Sequence, residues 1–217
     1  MGRRSEPAPA ALSFATHEAG HATVAWIVAP ERSLEVLSII KRSSALGLLA
    51  HSEPEERYTR TKRDIESLIR IAMGGLVAEE VFFGDTSTGV AGDLQAATEA
   101  AAQMIGSFGM GGSLISLDAA RGGGPVNVVA KVLSDEVSRT RLDAVLDQAR
   151  EEVRTLISAH FYLVEALRDA LLEREELIGG EITDVLIRAE SGHAAPVVDL
   201  RQEAGGGQVR PTPSGRE

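Results

Sequence analysis

Two histidines four residues apart with a glutamate beside the first, His17-Glu18-Ala19-Gly20-His21, constrain this chain more than any other feature. Side chains at i and i+4 share a face on an α-helix, so both imidazoles reach a common point only if this segment is helical. Ser13 is a candidate N-cap, and Phe14, His17, His21, Val24, Ala25 and Val28 keep helical spacing until Pro30 stops the helix. With five histidines in 217 residues, the pattern H-E-x-x-H arises by chance about 0.01 times. Two ordinary helix histidines are therefore the weaker reading.

The chain has no cysteine, which excludes disulfides, thiolate zinc sites and cysteine nucleophiles and leaves His, Asp and Glu to hold any metal. Zinc on two neutral imidazoles needs a third protein ligand and keeps its fourth position for water. Glu18, next to His17, is then the expected general base, taking a proton from the attacking water and returning it to the leaving amine. Such chemistry belongs to a zinc metalloendopeptidase acting on polypeptides. The longer pattern H-E-x-x-H-x-x-G-x-x-H is excluded, because Val24 and Ile27 stand where it needs Gly and His. Glu79, Glu80 and Asp93 are the acidic candidates for the third ligand, with His51 and His160 as weaker ones.

The rest of the chain predicts the setting of that helix. A net charge of -10 without a basic stripe argues against nucleic-acid partners. No run approaches the roughly 20 apolar residues of a membrane span, and the N-terminus lacks a signal-peptide core, so a soluble, cytoplasmic protein is expected. Residues 1–11 and 191–217 have the composition of flexible tails, leaving one domain over 12–190. Residues 34–41 and 45–50 read as a β-hairpin across Arg42-Ser43-Ser44. Residues 62–83 read as a long amphipathic helix ended by Gly84. A third helix is expected over 92–108, with Leu94, Ala97, Ala101, Met104, Ile105 and Phe108 on one side. The Gly-rich stretch 109–126 reads as a mobile loop, Ser134 as a helix cap, and 127–190 as two or three helices with a break near Gly179-Gly180. The expected fold is predominantly α, a helical array with a two-stranded β-ribbon and a zincin-type active-site helix.

Several segments in order are similar to the peptidase domain of the FtsH-type ATP-dependent zinc proteases. They are Phe14-Ala15-Thr16-His17-Glu18-Ala19-Gly20-His21, Ala45-Leu46-Gly47, Gly74-Gly75 with Ala78-Glu79-Glu80, Phe83-Gly84, Ser87-Thr88-Gly89-Val90-Ala91-Gly92-Asp93-Leu94 and Phe108-Gly109-Met110. The resemblance implies Zn2+ held by His17, His21 and Asp93, the last occupying the aspartate position of the S-T-G-x-x-x-D-L segment. It also implies an edge strand near the metal that binds the substrate, and a ring of six subunits. Asp93 near a helix start is compatible, since a carboxylate is favoured there. Gly20 suggests close approach of another backbone, and Gly74-Gly75 tight packing of the second helix on the first. The sequence departs from the family at Leu76, where an arginine is usual, and at Gly92, where an asparagine is usual; both bear on support of the site more than on ligation. No G-x-x-x-x-G-K-[ST] loop occurs, so ATP dependence requires a separate AAA ATPase or a longer polypeptide; Met1 favours a complete chain. The second function considered is a catalytically inactive module of the same fold that binds a protease or ATPase partner.

Overall fold

The computed structural model describes residues 9–40, 48–52, 59–119 and 127–193. Helix α1 (Pro9–Val28) is buried without interruption from Ala15 to Ala25, because it is covered by neighbours on all sides rather than along one stripe. A helix with so little polar surface belongs in the middle of a core. Its start at Pro9 lies upstream of Ser13, which falls inside the helix and caps nothing; proline is well suited to a first helical turn, where its missing N–H costs no bond. Helical structure extends to His193 at the other end.

Strands β1 (Ser33–Ser38) and β2 (Leu48–Ser52) form the expected antiparallel pair, with Leu37 opposite Leu49 and a bulge between Leu34 and Val36. The turn at 42–44 lies outside the described residues. Helix α2 (Lys62–Phe83) follows, with the boundaries its periodicity predicts. Thr61 and Asp64 cap its start reciprocally, and Gly84 ends it in the left-handed conformation at φ 72. A 3-10 turn (Thr88–Val90) leads directly into α3 (Ala91–Gly106). Ala97, Ala101, Met104 and Ile105 are buried as expected, but Leu94 is 37% and Phe108 53% exposed. Phe108 lies past the helix end, so the helical phase that would have turned it inward no longer applies.

The C-terminal part holds four helices rather than two or three: α4 (Val128–Ser134), α5 (Glu136–Ala159), α6 (Phe161–Arg174) and α7 (Gly180–His193). Ser134 ends α4; the cap of α5 is Asp135, whose carboxylate accepts from Ser138 N–H at 2.8 Å. Of the Gly-rich stretch, 117–119 form a 3-10 turn and 120–126 lie outside the described residues. Between α6 and α7 the segment β3 (Glu176–Ile178) pairs antiparallel with β1, so the expected two-stranded ribbon is a three-stranded sheet of order β2-β1-β3. Three residues carry no readable alternation, and a strand this short exists only through its partner.

The crossing of α1 and α2 sets the centre of the fold. A Cβ on Gly20 would stand 2.4 Å from the Gly74 carbonyl oxygen and 2.6 Å from Ala78 Cβ, and a Cβ on Gly74 would stand 2.8 Å from His21 Cα. Backbone therefore meets backbone, the close approach suggested by Gly20 and the glycine pair. Replacing Gly20 by alanine gains about 1 kcal/mol of helix propensity but must separate two packed helices, a strain of typically 1–3 kcal/mol or more. We expect Gly20→Ala to lower the melting temperature of the metal-free protein by about 2–8 °C. An unchanged or higher value would show that the crossing yields without strain.

Candidate metal centre

Helix α1 carries two buried imidazoles, and helices α2 and α3 supply their surroundings. His17 Nε2 lies 3.1 Å from His21 Nε2 and 3.1 Å from Asp93 Oδ2, while His21 Nε2 lies 3.4 Å from the same oxygen. Among the described residues, these three form the one group of His, Asp or Glu side chains close enough to share an ion. Asp93 reaches them from the first turn of α3, across 76 residues of sequence from His17.

The outer nitrogens define the protonation state. His21 Nδ1 lies 2.7 Å from the carbonyl oxygen of Ile71, which can only accept, so this nitrogen carries the hydrogen. His17 Nδ1 lies 2.7 Å from Glu79 Oε1, where a carboxylate likewise accepts. Both neutral rings are thereby held with the lone pair on Nε2, and the two lone pairs face each other and a carboxylate oxygen. Without a cation or an extra proton, that arrangement is repulsive. Donor atoms about 2.0–2.1 Å from a tetrahedral zinc ion are about 3.3 Å apart, and the observed triangle of 3.1, 3.1 and 3.4 Å has that size. Donor chemistry and spacing both fit zinc.

The room for this arrangement comes from α2. A Cβ on Gly75 would stand 2.4–2.6 Å from three atoms of the His17 ring, so only glycine leaves space for the imidazole there. Spacing suggests helix packing for the pair, which is the role of Gly74; Gly75 instead seats a ring. No sequence pattern separates the two roles.

Each acidic candidate occupies a distinct place. Glu79, 2% exposed, sits behind His17 on the side away from Asp93, and its carboxylate also accepts the N–H and hydroxyl of Ser87. Glu80 faces α5, paired with Arg150 and Arg154. Of the weaker candidates, His51 accepts from Arg32 Nε at 2.7 Å. His160 closes α5 with Nδ1 on the Leu156 carbonyl. Neither belongs to the group of three.

Electrostatics follow from burial and charge in the metal-free protein. Burial alone would raise the Asp93 carboxyl, but hydrogen bonds from His17 and His21 and their charge bring it far below the usual carboxylate range. His17 is lowered by burial, yet its bond to Asp93, the charge of Glu18, its bond to Glu79 and the charge of Asp93 outweigh this and raise it. Glu18 is 8% exposed and accepts no hydrogen bond among the described residues. Burial raises its carboxyl, His21 and His17 pull it down, and Asp93 adds to the rise. Such a carboxylate exchanges protons more readily than one tied into an ion pair.

The family model of peptidase family M41 matches residues 10–185. Relatives include the ATP-dependent zinc metalloprotease FtsH 3 of Conexibacter woesei, 34% identical over 168 residues, covering 75% of this chain and 22% of that protein. The ATP-dependent zinc metalloprotease FtsH of Chlorobium luteolum is 34% identical over 185 residues, covering 82% and 26%. The ATP-dependent zinc metalloprotease FTSH 11, chloroplastic/mitochondrial, of Arabidopsis thaliana is 34% identical over 182 residues, covering 82% and 22%. The chain spans about a quarter of the length of these curated relatives. Among the described residues no helix is long and apolar enough to cross a membrane. The family match runs from the first turn of α1 into α7 and takes in both imidazoles, the glutamate between them and the aspartate that meets them, so the chain belongs to peptidase family M41.

Proposed function

We propose that this chain is a zinc-dependent endopeptidase whose ion is held by His17, His21 and Asp93 and whose general base is Glu18. The observation that carries the reading is the triangle of two Nε2 atoms and one carboxylate oxygen, with both Nδ1 atoms committed elsewhere. When bound at such a site, zinc acidifies water and polarises a peptide carbonyl. Ile71 and Glu79 keep the two rings in one tautomer and one orientation. Glu18 takes the proton of the attacking water and passes it to the departing amine; no covalent link to the enzyme forms.

The substrate is a polypeptide in an extended conformation. In support, β2 has β1 on one side and no partner strand on the other among the described residues, which leaves an edge to which an extended peptide adds through main-chain hydrogen bonds. The 217 residues hold no phosphate-binding loop, so any ATP-driven unfolding belongs to another segment or to a separate AAA ATPase. That ATPase and a ring of six come from the resemblance; mass in solution with and without the ATPase tests both.

Zinc content and casein cleavage without ATP test the reading directly. About one zinc per chain with measurable cleavage is expected. Zinc without cleavage would favour the non-catalytic module, and a folded chain that takes up no zinc would remove the metal centre.

Zinc competes with protons for His17 Nε2. Because that imidazole sits above the ordinary 6.5 in the metal-free protein, zinc affinity is expected to begin falling above pH 6.5 and to approach a tenfold loss per pH unit below it. The same shift makes the protonated ring a stabilising feature of the metal-free fold below pH 6.5, lost as pH rises through the raised folded value. Chelator competition between about pH 8 and pH 5.5 measures the onset. An onset only below pH 6.5 would contradict the proton affinity set by Asp93, Glu18 and Glu79.

A further inference from the structure

Ser87 joins two parts of the centre that are far apart in sequence. Its N–H donates to Glu79 Oε2, and its hydroxyl donates to Glu79 Oε1 at 3.0 Å. Gly89 N–H donates to the same hydroxyl oxygen at 3.2 Å. A hydroxyl has one hydrogen to give, and the Gly89 N–H takes up a lone pair, so the hydroxyl proton is directed at Glu79. Glu79 Oε1 also takes the Nδ1–H of His17 at 2.7 Å. Two donors from Ser87 and one from His17 therefore define the plane of a carboxylate that is almost wholly buried. Ser87 itself sits at the N-cap of the 3-10 turn that runs into α3, six residues before Asp93 in sequence.

Resting on the zinc-centre reading above, we propose that Ser87 is a positioning residue of that centre: by fixing both oxygens of Glu79, it sets the orientation of the His17 ring. The turn that delivers one ligand from α3 thus also aims a ligand on α1. Ser87 touches neither the ion nor the substrate and acts only through Glu79. If its hydroxyl is lost, Glu79 keeps the Ser87 N–H but can rotate about it, and the His17 ring turns with it.

The test uses the full chain and measures Zn2+ affinity by chelator competition, with the visible spectrum of the Co2+-loaded protein as a second readout of ligand geometry. Loss of an orienting partner costs typically 10–100-fold in metal affinity, and the retained N–H places Ser87→Ala at about the tenfold end. Ser87→Thr keeps the hydroxyl on an extended backbone, φ -94 and ψ 169, that accepts a β-branched residue; it is expected to restore wild-type affinity. On a Glu79→Gln background, Ser87→Ala is expected to cause no further loss, because its route to His17 is already cut. If the hydroxyl only caps the turn, Ser87→Ala lowers the melting temperature while leaving affinity and the Co2+ spectrum unchanged, and the proposal is overturned. Additive losses in the double variant would overturn it too. A wild type that binds no zinc would overturn the centre itself, an outcome distinct from wild-type binding that Ser87→Ala does not alter.

Discussion

Glu18→Gln is expected to retain zinc and lose about 10²–10⁴-fold in casein cleavage, the usual contribution of a general acid–base group. The substitution keeps shape and removes only the ability to hold a proton, and Glu18 is not one of the three converging donors. Its carboxylate accepts no hydrogen bond among the described residues, so the amide abandons no partner there. Stability should not fall either. Burial raises the folded value of this carboxyl above the ordinary 4.5, so its ionisation opposes folding as pH rises above 4.5. Gln carries no charge to desolvate, and the metal-free variant should melt at or above the wild-type temperature near pH 7. A variant that cleaves at the wild-type rate would mean that another group moves the proton.

The second large effect separates the three acidic candidates. Zinc sites bind with about 10–16 kcal/mol over four ligands, so one ligand is worth about 2.5–4 kcal/mol. Asp93→Ala should therefore weaken zinc binding by roughly a hundred- to a thousand-fold and remove cleavage with it. Glu79→Gln, which disturbs only the orientation of His17, should lose about 10–100-fold. Glu80→Ala should change nothing, since its partners are Arg150 and Arg154. Zinc titrations on the three variants give the order. If Glu79→Gln lost more affinity than Asp93→Ala, the glutamate would be the ligand and the aspartate its support.

Some of the centre is local and was legible in the residues. An i, i+4 pair of histidines shares a helical face whatever surrounds it, and the bounds of α2 follow from its period and from Gly84. Ser13 is a good cap wherever a helix begins, but this helix begins at Pro9, a residue that suits a first helical turn. Strand β3 is not legible in the residues, because three residues have no period of their own. Periodicity points Phe108 inward because it does not reveal that α3 stops at Gly106.

By itself, the sequence determined that two imidazoles and a glutamate share one helix, that no thiolate can join them, and that a carboxylate or a further imidazole must complete the set. Tertiary structure decided which nitrogen of each ring faces inward and which carboxylate meets those nitrogens. It also decided that Glu79 stands behind His17, and that Gly75 makes room for a ring where Gly74 makes room for a helix. The physical reason is range. Spacing along a helix is set by bonds a few residues apart, whereas these choices depend on contacts across 50 to 76 residues, which exist only once α1, α2 and α3 are packed.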